Sequence, residues 1–233
     1  MRVWSTRICL PFCLLIAASG SSAAQSGQPT DSSSSKSSAS KKDPKRAAAE
    51  SDVDAGTVVG GVYRNKALAL SCKVPAGWVL RTEEMKAQDD SDSQSNHSPQ
   101  GTQGGTESAN GGRVLLAAFS RPPAAKGEEV NSSIVIAAEP VAAYPGLTDA
   151  VQYLGPLGEV AKAQGFTADE DPYEIALGTK TVVRSDFHKD VGSRVMRQST
   201  MVFLARGYAV SITVIGGTED EVEDLVDGLS FGK

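Results

Sequence analysis

The sequence predicts an α+β domain in which helices pack on an antiparallel sheet. Three observations predict it. Tyr208, Val210, Ile212 and Val214 alternate with Ala209, Ser211 and Thr213, so one face of that strand is apolar and the other small or polar. Runs of strand type at 181–188, 195–205 and 208–215 are joined by Asp190-Val191-Gly192-Ser193 and Ala205-Arg206-Gly207, which are short enough for hairpins and too short for crossovers. Two stretches with helical spacing stand on either side of these hairpins and can cover a sheet with one wet face.

The elements follow in order. Leu68, Leu70, Cys72 and Val74 alternate with Ala69, Ser71 and Lys73, which predicts a strand over 68–74. Pro75 cannot donate to a ladder, Gly77 permits a turn, and Trp78 returns a large apolar side chain to the edge of the core. The apolar runs 114–119 and 133–138 read as buried strands. Ala150, Leu154, Leu157 and Ala161 share one helical face. Thr148 is the expected cap, Asp149 suits the positive end of that helix, and Gly165 suits its stop. Pro156 predicts a kink or break inside it. A strand at 173–177 precedes the hairpins. Thr218-Glu219-Asp220-Glu221 has the spacing of a capping box, and Val222, Leu225, Val226 and Leu229 form the stripe of a last helix.

The N-terminal part has a different character. Arg2 and Arg7, the apolar run Ile8–Ala18 and the small residues Ser22-Ala23-Ala24 predict a signal peptide over 1–24. The apolar run is well short of the ~20 residues that span a bilayer. Residues 25–56 are rich in Ser, Lys, Asp and Ala and lack an apolar period, which predicts a disordered tether. The basic cluster Lys41-Lys42-Asp43-Pro44-Lys45-Arg46 lies inside it, where it suits either an anionic envelope polymer or plain solvation. A single domain is expected over 57–233, with a disordered polar insertion at 86–113 that contains no Leu, Ile, Val or aromatic residue.

Charge and cysteines exclude several classes. The net charge of −5 becomes −7 when the leader takes Arg2 and Arg7 with it, which argues against nucleic acid and against an anionic membrane surface. Cys9 and Cys13 leave too, so Cys72 has no internal partner for a disulfide, and its place between Leu70 and Val74 predicts burial.

The pattern Tyr63-x-Asn65, two alternating apolar positions and Pro75-x-Gly77-Trp78 resembles the start of the PsbP-like family. The order of a helix, hairpins and a C-terminal helix is similar too. That family includes the extrinsic P protein of the photosystem II oxygen-evolving complex and several exported bacterial envelope proteins. The resemblance implies an α-β-α sandwich and a small, non-catalytic protein that docks on something larger. No functional residue of the family maps onto this chain.

Candidate chemistry is sparse. Asp186, His188 and Asp190 would share one face of a strand and are the candidate ligands for a divalent cation. A solvated strand end is the simpler reading, because a metal site usually needs a further His or Cys and supporting partners. His97 lies in the polar insertion. No Gly-x-Ser-x-Gly elbow occurs. Gly216-Gly217-Thr218 precedes a helix, but Glu219, Asp220 and Glu221 in its first turn would repel an anion. Asn65 can support a turn, and Arg121-Pro122-Pro123 can end a strand or present a stiff docking segment. The reading is an exported binding or assembly module of the bacterial envelope, not an enzyme and without a cofactor. It would dock on a protein partner without stable membrane insertion, in the periplasm or outside the cell. The alternatives are a carrier of a small apolar ligand, which predicts an apolar pocket, and a hydrolase of unrecognised type.

Overall fold

The long hairpins organise the molecule. The structure, a computed structural model, describes residues 53–87, 112–122, 125 and 130–232. The expected leader, most of the tether, His97 and the Lys41–Arg46 cluster lie outside these residues. Strands β9 (Lys180–Val191), β10 (Arg194–Ala205) and β11 (Tyr208–Gly216) form consecutive antiparallel hairpins. Their turns are Gly192-Ser193 and Arg206-Gly207, with Gly192, Arg206 and Gly207 all at positive φ, as two-residue hairpin loops require. β6 (Ser133–Pro140) pairs with β11, and β5 (Arg113–Phe119) with β6. β4 (Val79–Leu80) closes one margin, while β7 (Thr167–Ala168) and β8 (Tyr173–Leu177) lie along the outer side of β9. The result is an eight-stranded antiparallel sheet.

Strand alternation sends neighbouring residues to opposite faces of this sheet. Val183, Val202 and Ala209 pack against Tyr153 and Leu154 of helix α1 (Ala150–Ala163). Val182, Met201, Val210 and Ile212 face the other way, toward Val222, Leu225 and Val226 of helix α2 (Glu219–Asp227). Burying each α2 side chain contributes on the order of 1.5–3 kcal/mol. The main sheet therefore has a helix on each face, as expected.

The second face holds more than a helix. β1 (Thr57–Val59), β2 (Val62–Asn65), β3 (Leu70–Lys73) and β12 (Leu229–Phe231) form a separate four-stranded sheet. Tyr63, Leu70, Cys72, Leu229 and Phe231 share the core of α2. Gly178, in the β8–β9 turn, bridges to Phe231 and so joins the two sheets.

Several expectations need correction. The ordered fold begins before Thr57, since Val53 is fully buried and Arg113 Nη1 donates to its carbonyl at 2.9 Å. The margins of the expected insertion are structured, because Lys86 lies in a helical turn at 82–87 and Arg113 opens β5. The strand expected from Leu68 starts at Leu70; Asn65 Oδ1 takes the Leu68 amide and Ala69 turns at φ 53. Leu229 belongs to β12, not to the last helix, since it pairs with Cys72 after Gly228 has capped α2. The break expected at Pro156 does not occur, and α1 runs through it. The preceding Gly155 has no Cβ to clash with the proline ring, which removes part of the usual penalty.

Both helices start with the same device. In α1 the N-cap is Asp149, not Thr148; Asp149 Oδ1 accepts from the Val151 amide, and Gln152 Oε1 accepts from the Thr148 amide, each at 3.0 Å. In α2 Thr218 Oγ1 accepts from the Glu221 amide at 3.1 Å, while Glu221 Oε2 reaches the Gly217 amide at 2.8 Å. The capping box is thus reciprocal, but its return bond goes one residue before the cap.

Candidate functional site

The chemically capable side chains are best located strand by strand. On β9, even-numbered residues face α2 and odd-numbered ones face α1. Arg184 is thereby placed under α2, with its side chain only 8 % exposed. Its Nε donates to Asp186 Oδ1 at 2.9 Å, and its guanidinium makes a two-pronged pair with Glu223 of α2, one bond being Nη1 to Oε2 at 3.1 Å. Burial pulls the Arg184 pKa down, but the bonds to Glu223 and Asp186 outweigh it and raise it above the ordinary value. Tyr173 of β8 donates from its hydroxyl to Asp186 Oδ2 at 2.5 Å, and its ring lies 5.9 Å from the Arg184 guanidinium carbon. Burial, together with the Asp186 carboxylate, raises the Tyr173 phenol.

Asp186 is held by Arg184 and Tyr173, and His188 Nδ1 is bonded to Asp169 Oδ1 instead of turning toward Asp186. Asp190 is exposed near the hairpin tip. The three candidate ligands share a strand but are not assembled into a site, and among the described residues no group of three His, Cys, Asp or Glu side chains is placed to hold a metal ion.

Cys72 is fully buried, and burial pushes its thiol up to about 12, so it is no nucleophile in the folded chain. Asn65 is a brace, as its sequence position suggests. Its Nδ2 donates to the Asp54 carbonyl at 2.7 Å and to the Tyr63 hydroxyl at 3.3 Å, and its Oδ1 accepts from the Leu68 amide. Pro75 O accepts from the Trp78 amide at 3.3 Å with Gly77 at φ 84, a type II turn that sets half-buried Trp78 against the core. After β5 the described residues fold back on the strand end. Asn131 bonds Arg121 at both its amide and its carbonyl, and the Ala125 amide donates back to the Pro122 carbonyl. Pro123 lies outside the described residues.

A depression of about 610 Å³ opens where three junctions meet. The β5–β6 connection supplies Ser120, Arg121, Val130 and Ser132; the β9–β10 hairpin supplies Arg194 and Val195; the start of α2 supplies Gly217, Thr218 and Glu221. The lining is mostly polar, unlike the apolar pocket expected of a carrier. Its hydroxyls are already engaged, Ser132 with Glu221 and Ser120 with Asn131. A second polar group missed in the sequence gathers at the end of β6, where Tyr144 donates to Glu139 beside buried Tyr153, and the two rings meet edge to face at 5.2 Å. Burial, reinforced by Glu139, raises both phenols. Nothing in local periodicity marks these pairs, because each joins residues from different elements.

No helix among the described residues is long and apolar enough to cross a membrane. No protein-family model matches the chain, and no curated protein matches it in sequence. Among solved structures it is similar to LpqN of Mycobacterium tuberculosis, a protein involved in cell envelope biogenesis, at 15 % identity and a TM-score of 0.35, over 69 % of this chain and 82 % of LpqN. It is also similar to a protein of Bacteroides thetaiotaomicron at 11 % identity and a TM-score of 0.36, over 70 % of this chain and 45 % of the other, less than half of that protein's length.

Proposed function

We propose that this protein is an exported, non-catalytic binding or assembly module of the bacterial envelope that docks on a protein partner. One observation carries the reading: among the described residues, the buried or paired side chains best suited to chemistry are spent on holding elements together. Arg184 ties β9 to α2, Glu221 ties α2 to the start of β6, His188 is tied to Asp169, and Cys72 is sealed in the core. Catalysis needs a nucleophile or acid whose partner is a reacting atom, held in a cleft with a base in reach. Rigid scaffolds that spend these groups internally offer backbone edges and surfaces instead. The leader expected at 1–24 and the resemblance of Tyr63, Asn65 and Pro75–Trp78 to the PsbP-like family support export and docking.

Photo-cross-linking in intact cells of the source bacterium, followed by mass spectrometry, tests the proposal. One envelope protein recovered repeatedly is the expected result. Recovery of none sinks it, and a bound apolar molecule of defined mass in native mass spectra would replace it with the carrier reading.

A further inference from the structure

The margin of the main sheet at β8 is unusual in charge and in pairing. β8 pairs with β9 on one side, residue for residue from Tyr173↔Arg184 to Leu177↔Lys180. Among the described residues no strand pairs along its other side; beyond its end the turn residues Gly178 and Thr179 meet Phe231 of β12. In an antiparallel ladder, bonded and non-bonded pairs alternate. Counted from the two-residue turn at Gly178-Thr179, the backbones of Tyr173, Ile175 and Leu177 bond β9, while those of Glu174 and Ala176 point outward. The side chains divide as well: Tyr173, Ile175 and Leu177 turn toward the core side, and Glu174 and Ala176 are exposed on the other.

We propose that this outer side of β8 takes an extended, lysine- or arginine-bearing segment of the partner protein as an added strand. The inference rests on the docking reading above and names where and what the chain docks. Charge chooses the occupant. Residues 167–179 contain Asp169, Glu170, Asp171 and Glu174 and no lysine or arginine. Asp169 is paired with His188, whereas Glu170, Asp171 and Glu174 are exposed. A second copy of this chain would bring the same carboxylates against them, and like charges across a strand pair are destabilising. A charged residue on an edge is a common guard against self-pairing. Here the guard also discriminates: it repels acidic strands and attracts basic ones. Backbone bonds from Glu174 and Ala176 would supply affinity, half-buried Ile175 a shallow apolar contact, and Glu174 the preference for a basic side chain.

The test uses isotope-labelled protein of residues 25–233 and two probe peptides, acetyl-(Lys-Val)₃-amide and acetyl-(Glu-Val)₃-amide. Amide shifts concentrated at 173–177 with the lysine peptide alone are expected. Ala176→Pro removes an outward donor and leaves the β9 ladder intact, since proline is tolerated where the strand N–H faces solvent. It should weaken binding by about tenfold or more, and Glu174→Lys should reverse the peptide preference. Equal response to both peptides, shifts elsewhere, no binding at millimolar peptide, or binding indifferent to Ala176→Pro would each overturn the proposal. Self-association in the ultracentrifuge that Ala176→Pro abolishes would overturn it in favour of a second copy. Cross-links to a partner that map away from 173–177 would remove the edge but keep the docking reading; absence of any partner would remove the docking reading itself.

Discussion

Arg184 Nη1 donates to Glu223 Oε2 at 3.1 Å, and with this bond the middle of β9 is fastened to the middle of α2. The two ends of the pair differ in setting. The Arg184 side chain is buried, whereas that of Glu223 is 49 % exposed. Removing the arginine strands Asp186 and Glu223 without their cation; removing the carboxylate leaves Arg184 with Asp186. Arg184→Ala should therefore cost about 3–5 kcal/mol in urea unfolding, and Glu223→Gln about 1 kcal/mol or less. Equal costs would mean that the pair is not what anchors α2.

Gly178 and Gly192 are turn glycines with the same φ of 63° but different neighbours. A Cβ at Gly178 would lie 2.7 Å from the Phe231 carbonyl oxygen, while one at Gly192 would meet open space. Gly192→Ala should cost only the conformational penalty of about 1–2 kcal/mol. Gly178→Ala should cost clearly more, and should loosen β12, read as faster hydrogen exchange at Thr179, whose amide donates to the Phe231 carbonyl across this junction, and at Gly232, whose amide holds the end of β12 to the Ala69 carbonyl. Similar costs for the two would show that the junction between the sheets yields freely.

Asn65 is the hub of the N-terminal brace. Asn65→Ala deletes its bonds to Asp54, Tyr63 and Leu68 in a buried place and should cost about 2–3 kcal/mol, with lost protection of the Leu68 amide. Asn65→Asp keeps the acceptor for Leu68 but not the donors, and should also destabilise. A neutral Asn65→Ala would refute the brace.

Alkaline pH should weaken the fold. Burial raises the Cys72 thiol from 9.0 to about 12 and the Tyr63 phenol from 10.0 to about 12. Both groups are neutral when protonated, so above pH 9 the unfolded chain releases protons that the folded chain keeps. Their stabilising share is complete below the unfolded values and is lost as pH rises through about 9 to 12. Urea midpoints of residues 25–233 should fall over this window, and less steeply in Cys72→Ala. A flat midpoint from pH 8.5 to 11, set by the ordinary thiol range, would contradict the burial of these groups.

How much of this was legible depends on the distance over which each feature is decided. The β8–β11 strands, the glycine turns at 192 and 207, and the stripe of α2 stand in the sequence because each is written in a few adjacent residues. The second sheet was not legible. β12 has only three residues, too few to show a period, and its first, Leu229, fits the spacing of the α2 stripe; its partner β3 lies more than a hundred residues away. The partners of the cation candidates were hidden for a related reason. Strand alternation puts Asp186, His188 and Asp190 on one side, but Arg184 of the same strand, Tyr173 of β8 and Asp169, just after β7, claim two of them first.

The sequence by itself determined the α+β class, the hairpin order, the acidic character and the burial of Cys72, because alternation, turn glycines and charge are properties of local runs. Tertiary structure alone decided that Val53 enters the core, that β12 leaves α2 to pair with β3, and that Arg184 is spent on Glu223. These depend on which surfaces meet when apolar area is removed from water, and that competition is settled between elements, not within them.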